Sequence, residues 1–146
     1  MEETVTSPPA CVFCEILAGR APATVVAEWP EALAIVPLGP VVDGHVLVIP
    51  RVHVEDAATN PAVTAITFGF AARYAREQRR PFNLITSAGP EATQSVTHLH
   101  AHYLPRAAGD GLVLPWGDNT RHVTGAEQPA EGSALPRAPA SRTGRG

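Results

Sequence analysis

The sequence predicts an α+β fold, a mostly antiparallel five-stranded sheet with one long helix and a short N-terminal helix. Three observations lead there. Five apolar runs have strand length, at residues 24–29, 32–36, 46–49, 82–87 and 96–104. A single long segment, Pro61 to Arg80, has the start, the apolar face and the stop of a helix. The links between adjacent strands are short, which suits antiparallel pairing, and the long helix crosses between the third and fourth.

Taken in order, residues 1–10 contain Ser7-Pro8-Pro9 without an apolar pattern and read as a flexible lead. Val12 to Leu17 has the density of a short helix that stops at Gly19. Thr24–Trp29 and Ala32–Val36 flank a turn at Pro30-Glu31, and Val46-Leu47-Val48-Ile49, closed by Pro50, suits a central strand buried on both faces. Asn60 is a good N-cap and Pro61 sits naturally at the first helical position. Val63, Ile66, Phe70 and Tyr74 mark one face of the helix they begin. Arg73, Arg76, Arg79 and Arg80 collect near its C-terminus, where they favour the dipole, and Pro81 ends it. This arginine run reads as a solvated helix end rather than a nucleotide site. Phe82–Ser87 and Val96–Leu104 are joined by the polar loop 89–94. Residues 125–146 have Leu135 as their one large apolar residue, too little burial to offset ordering entropy. The expected organisation is a lead at 1–10, a folded domain at 11–118 and a disordered tail at 119–146.

Composition narrows the function. The chain has 146 residues, 45% hydrophobic and 17% charged, which fits one globular domain. Eleven basic against fourteen acidic residues leave a net charge of -3, which argues against general nucleic-acid binding. Every basic residue is arginine, so Schiff-base chemistry and a phosphate-binding P-loop lysine are excluded. No apolar run is long enough to span a membrane, and the acidic N-terminus is unlike a signal peptide. The expected location is cytoplasmic.

The chemistry is concentrated in two places. On a strand, His98, His100 and His102 would share one face and line a cleft, while Leu99, Ala101 and Tyr103 would point into the core. Such an array suits imidazole catalysis or metal binding, against a plain reading as solvated edge histidines. Cys11 and Cys14 form one Cys-x-x-Cys, which can be a redox dithiol, half of a metal site or two small apolar residues.

His98-Leu99-His100-Ala101-His102-Tyr103-Leu104 matches the His-φ-His-φ-His-φ-φ motif of the histidine triad family at every position. Asp43-Gly44-His45-Val46-Leu47-Val48-Ile49-Pro50 resembles that family's preceding strand, Phe13-Cys14-Glu15-Ile16 with Gly19 and Pro22-Ala23 its N-terminal segment, and Gln94-Ser95-Val96 its lead into the triad. The resemblance spans residues 11 to 117 with three motifs in order. It implies a hydrolase or nucleotidyl transferase acting at a nucleoside α-phosphate, with His100 as nucleophile. His102 would contact phosphate and leaving group, His45 would complete the imidazole cluster, and Ser95 would bond the phosphate. Val12, Phe13, Ile16, Ile35, Leu38 and Leu47 would line a base pocket, with Ser87, Thr93 and Gln94 near the phosphates. Cys11, Cys14, His53 and His98 would hold a structural zinc, a Cys₂His₂ set. The chemical step would need no metal, and a symmetric homodimer would be the working form.

The chain departs from the family pattern at substrate recognition. Pro37 stands where an aspartate would accept the ribose hydroxyls, Ser87 replaces an asparagine, and Thr93 a glycine. Losing that carboxylate should weaken nucleoside binding by about 2–4 kcal/mol. A binding or regulatory module with altered ribose and phosphate recognition is therefore the alternative to an enzyme. A hydrolase using His98, His100 and His102 as metal ligands is a third, weakened because the zinc set claims His98.

Overall fold

The computed structural model describes residues 11–118, so the expectations for 1–10 and 119–146 lie outside the described residues. Helix α1 (Val12–Leu17) is followed by strands β1 (Thr24–Glu28), β2 (Ala32–Val36) and β3 (Val46–Pro50), helix α2 (Pro61–Gln78), then β4 (Phe82–Ile85) and β5 (Ala101–Pro105). The five strands form one sheet in the order β1-β2-β3-β5-β4, with every neighbouring pair antiparallel. The predicted fold class is the observed one. A single turn of 3₁₀ helix (Pro90–Ala92) lies between β4 and β5. A two-stranded hairpin, β6 (Val113–Leu114) with β7 (Gly117–Asp118), follows β5 and was not expected from the sequence.

Alternation along β2, β3 and β5 sorts side chains by size. Ala32, Ala34, Val46, Val48, Ala101 and Tyr103 are buried on the face covered by α2, against Ala71 and Ala75. Leu33, Ile35, Leu47 and Ile49 are buried on the other face under Phe13 of α1. The alanine-rich face lets α2 approach closely. α2 therefore turns small residues inward: Thr67, Ala71 and Ala75, at i, i+4 and i+8, are its buried positions. This rotates the expected face, whose Phe70 and Tyr74 still pack against that core. Val63 and Tyr74 are half-buried, Phe70 stacks on Trp29 at 5.1 Å, and Ile66 is 44% exposed.

The helix begins as expected. The Asn60 side chain accepts from the N–H groups of Ala62 and Val63, and Pro61 opens the first turn. It ends at Gln78, two residues before the expected limit, because Arg79 takes a left-handed cap at φ 52°. Arg73 lies over the Phe70 ring at 5.6 Å. β1 stops one residue early at Glu28, and β4 ends at Ile85 rather than Ser87.

The largest difference concerns the histidine run. β5 starts at Ala101, not Val96, so of the three histidines only His102 is a strand residue. Leu99 N–H donates to Val54 C=O and His98 Nε2–H to Pro50 C=O, so the chain bonds beyond the end of β3 and not along it. The Thr86 hydroxyl donates to His100 C=O in the same stretch. Alternation holds for 101–103, with Ala101 and Tyr103 in the α2-side core, whereas Leu99 and His98 are both buried in an irregular approach.

Candidate active site and metal cluster

The imidazoles are built outward from a turn and two central strands. Gly44, at φ +86°, turns the chain into β3, and a Cβ there would meet Pro105 Cγ at 3.1 Å. His45 follows, buried at the head of β3, its N–H donating to Val42 C=O. Opposite it, His102 sits in register with Leu47 on one side and Ile85 on the other.

Backbone groups assign the tautomers. Val41 N–H donates to His45 Nδ1 at 3.1 Å, so the proton of neutral His45 is on Nε2. That Nε2–H donates to His102 Nδ1 at 3.0 Å, which leaves the His102 proton on Nε2. Burial, then the nearby His100, holds His45 below its ordinary range. Burial, with His100 and His45 adding to it, pushes His102 down to about 4. Both rings are neutral at pH 7, as this chain of bonds requires. His100 Nδ1–H donates to His98 C=O at 2.7 Å, and its lone pair is therefore on Nε2. The His100 and His102 rings are 4.9 Å apart. The sequence placed His100 on an exposed strand face. Instead it is 5% exposed and its ring meets the edge of Phe13 at 5.2 Å.

A second cluster shares His98 with this one. Cys11 caps α1, and its Sγ accepts from Cys14 N–H. Cys11 Sγ is 3.4 Å and Cys14 Sγ 3.6 Å from His98 Nδ1. Cys14 Sγ is 3.3 Å from His53 Nδ1, which is 3.1 Å from His98 Nδ1. All four ligand atoms lie within 4.8 Å of one another. The corners of a tetrahedron of Zn–S and Zn–N bonds are about 3.3–3.8 Å apart, close to the 3.1–3.6 Å of the four contacts, so two thiols and two imidazoles here fit the ion with small shifts. His98 Nε2–H is spent on Pro50 C=O, which turns the Nδ1 lone pair toward the thiols. Burial, then the bond with Cys11, raises the Cys14 thiol, and burial lowers His98.

The remaining candidates are distributed less tightly. Phe13 of α1 is buried against Ile35 and Leu47 of the sheet, and Ile16 packs against the same cluster. Val12 is 45% exposed and Leu38 fully so. Ser87 is half-buried; Ser95 and Thr93 are exposed, Thr93 at φ 69°. The Gln94 side chain is engaged at both ends, its oxygen accepting from Gly89 N–H at 2.9 Å and its amide donating to Glu55 C=O at 2.7 Å. It locks the loop before the triad. Sequence reasoning missed the Val41 N–H that sets the imidazole relay, since a backbone donor leaves no mark in residue type.

Residues 18–109 match the HIT domain family. The chain belongs to the histidine triad family. An uncharacterized HIT-like protein of Methanocaldococcus jannaschii is 34% identical over 113 residues, covering 74% of this chain and 88% of that one. The adenosine 5′-monophosphoramidase HNT1 of Saccharomyces cerevisiae is 29% identical over 121 residues, 80% of this chain and 75% of the yeast protein. Among solved structures, a Zn-bound histidine triad family protein from Mycobacterium smegmatis superposes with a TM-score of 0.63 at 37% identity, covering 70% of this chain and 79% of that one. The family thus includes hydrolases. Among the described residues, no helix is long and apolar enough to cross a membrane.

Proposed function

We propose that this histidine triad protein hydrolyses or transfers at a nucleoside α-phosphate through a covalent nucleotidyl intermediate on His100. The observation that carries the reading is the directed bonding of the imidazoles. The Nε2 lone pair of His100 is available, and the Nε2–H of His102 is a donor whose other nitrogen is held through His45 from the Val41 N–H. His100 Nε2 attacks phosphorus as the bond to the leaving group breaks. The His102 Nε2–H hydrogen-bonds the leaving atom, which departs as ammonia from a protonated phosphoramidate nitrogen or as a carboxylate or phosphate anion. Water then cleaves the P–N bond, its proton passing to solvent and neutral His100 being restored. Ser95, with Ser87, Thr93 and Gln94 nearby in the chain, borders the phosphate, and the apolar residues around α1 receive the base. A nucleoside phosphoramidate, an acyl-nucleotide and a dinucleoside polyphosphate are the substrate classes this chemistry fits. The named activity of the yeast relative supports the first.

Cys11, Cys14, His53 and His98 hold one zinc in this reading, as the donor set and the Zn-bound relative support. Its role is structural, joining α1 to the segments after β3 and before β5, and the working form is a homodimer. The test is to mix the protein with adenosine 5′-phosphoramidate labelled at phosphorus, quench in base and map the label. Label on His100, absent from His100→Ala, is the expected result. If no nucleotide of a broad panel labels the chain or turns over, and Pro37→Asp restores nothing, the altered-recognition binding module takes its place.

A further inference from the structure

The metal cluster and the imidazole chain meet at one residue, and the junction has a direction. His98 contributes its Nδ1 to the Cys11–Cys14–His53 cluster and its carbonyl to the Nδ1–H of His100, at 2.7 Å. Its own Nε2–H is tied to Pro50 C=O at 2.9 Å and the next N–H, of Leu99, to Val54 C=O at 2.8 Å, so the carbonyl is held from both sides. A second route runs through α1. Phe13 lies between the two cysteines, and its ring meets His98 at 5.7 Å and His100 at 5.2 Å, edge-on to both. α1 is only six residues long, so its position depends on what its cysteines hold.

We propose that the Cys11–Cys14–His53–His98 cluster is a positioning device for His100. Metal occupancy sets the ring orientation and tautomer of the nucleophile through the His98 carbonyl and the Phe13 ring, so that losing the metal releases His100 before it disturbs the other imidazoles. The proposal rests on the metal set and on His100 as the reacting ring. His45 is bonded to Val41 N–H and to His102, His102 lies in β5 paired with Leu47 and Ile85, and neither ring is bonded to any of the four ligands. They serve as the internal reference.

The full chain, labelled with ¹⁵N-histidine, is examined zinc-loaded, after chelation and with zinc restored, folding being followed by circular dichroism. In the zinc form His100 should give a slowly exchanging Nδ1–H signal. Chelation should remove that signal while those of His45 and His102 persist, and zinc should bring it back. Modification of His100 by diethyl pyrocarbonate, located by mass spectrometry, should be up to about tenfold faster without metal, the factor that losing one neutral hydrogen bond allows. Where chelation unfolds the chain, Phe13→Leu replaces it, since that variant keeps all four ligands. About one zinc per chain with a displaced His100 signal and faster His100 modification supports the proposal. An unchanged His100 signal and modification rate in both comparisons overturns it, as does loss of all the histidine signals together in a chain still folded. These readouts do not require turnover. A failure of the labelling experiment above with a metal-sensitive His100 here would reject the proposed reaction and leave the positioning device standing.

Discussion

At the scale of single residues, the imidazoles divide the work by which nitrogen is occupied. His100 has its Nδ1–H engaged by the carbonyl of His98, so replacing it removes the ring whose Nε2 lone pair is left for the phosphorus. His100→Ala should abolish turnover and nucleotide labelling. Because His100 is buried against Phe13, the same change should also lower stability modestly, by about 1–2 kcal/mol for the lost packing and bond, read by thermal unfolding. His102→Ala should slow the reaction by about 10²–10⁴-fold, the usual range for a proton donor near developing charge.

His102 also makes a pH prediction. Its folded-state value of about 4 lies below the ordinary 6.5, mainly through burial, so the unfolded chain binds the proton first as pH falls. Its contribution to stability is full above about pH 6.5, is lost between there and about pH 4, and is constant below. After allowance for its partial exposure, the swing should be about 1–2 kcal/mol. Chemical denaturation at several pH values should give a smaller acid loss for His102→Asn than for the wild type. Equal losses would refute the assignment.

At the scale of elements, apolar patterning made most of the sheet legible, and the failures have local causes. Val46 to Ile49 is buried on both faces because α1 and α2 cover opposite sides of β3, which a continuous apolar run reports directly. On α2 the large residues flank the buried stripe, Phe70 and Tyr74 at its margin, rather than form it. The alanines of β2 and β5 instead select small residues on the helix, leaving Ile66 outside. The triad misled because alternation assumes a ladder. Past Val48 the pairing partner of Ala101 gives way to Pro50 and Val54, whose carbonyls take an imidazole and an N–H from 98–99. The four metal-cluster residues do converge, but that grouping was implied by family resemblance, since Cys-x-x-Cys alone left three readings open. Gly44 gives the test at this scale. Its φ of +86° strains any side chain, and a Cβ there would press on Pro105 Cγ at 3.1 Å, so the proline must shift. Gly44→Ala should cost about 1–2 kcal/mol, and because His45 is the next residue it should reduce turnover more than the same loss of stability elsewhere. Thermal unfolding alongside kcat for Gly44→Ala and Gly19→Ala, where nothing lies within 4 Å, separates the two effects.

At the scale of the molecule, the sheet has two edges and they are not alike. β1 is irregular, its register shifting between Val25 and Ala27, and such a bulge discourages further pairing. β4 pairs regularly with β5 on one side and, among the described residues, has no strand on the other. Its first residue, Phe82, is 42% exposed, and on the neighbouring strand Tyr103 keeps its buried hydroxyl without a hydrogen-bond partner among the described residues. Arg106 stiffens the same corner. It bonds Asn83 of β4 at 2.7 Å and Asp110 at 2.8 Å, and its N–H donates to Pro81 C=O, so β4 is held straight at both its start and its neighbour. A short, regular, partly apolar edge flanked by a helix is suited to pairing with a second copy about a two-fold axis, and a small alanine-rich core gains from the added burial. Sedimentation of the zinc-loaded chain at tens of micromolar should therefore give twice the chain mass. Phe82→Arg should shift it to the single-chain mass while leaving the zinc content unchanged, because the Cys11–Cys14–His53–His98 cluster lies on the α1 face, away from this edge. A wild type of single-chain mass would reject the homodimer, and a Phe82→Arg protein that stays paired would move the interface off β4.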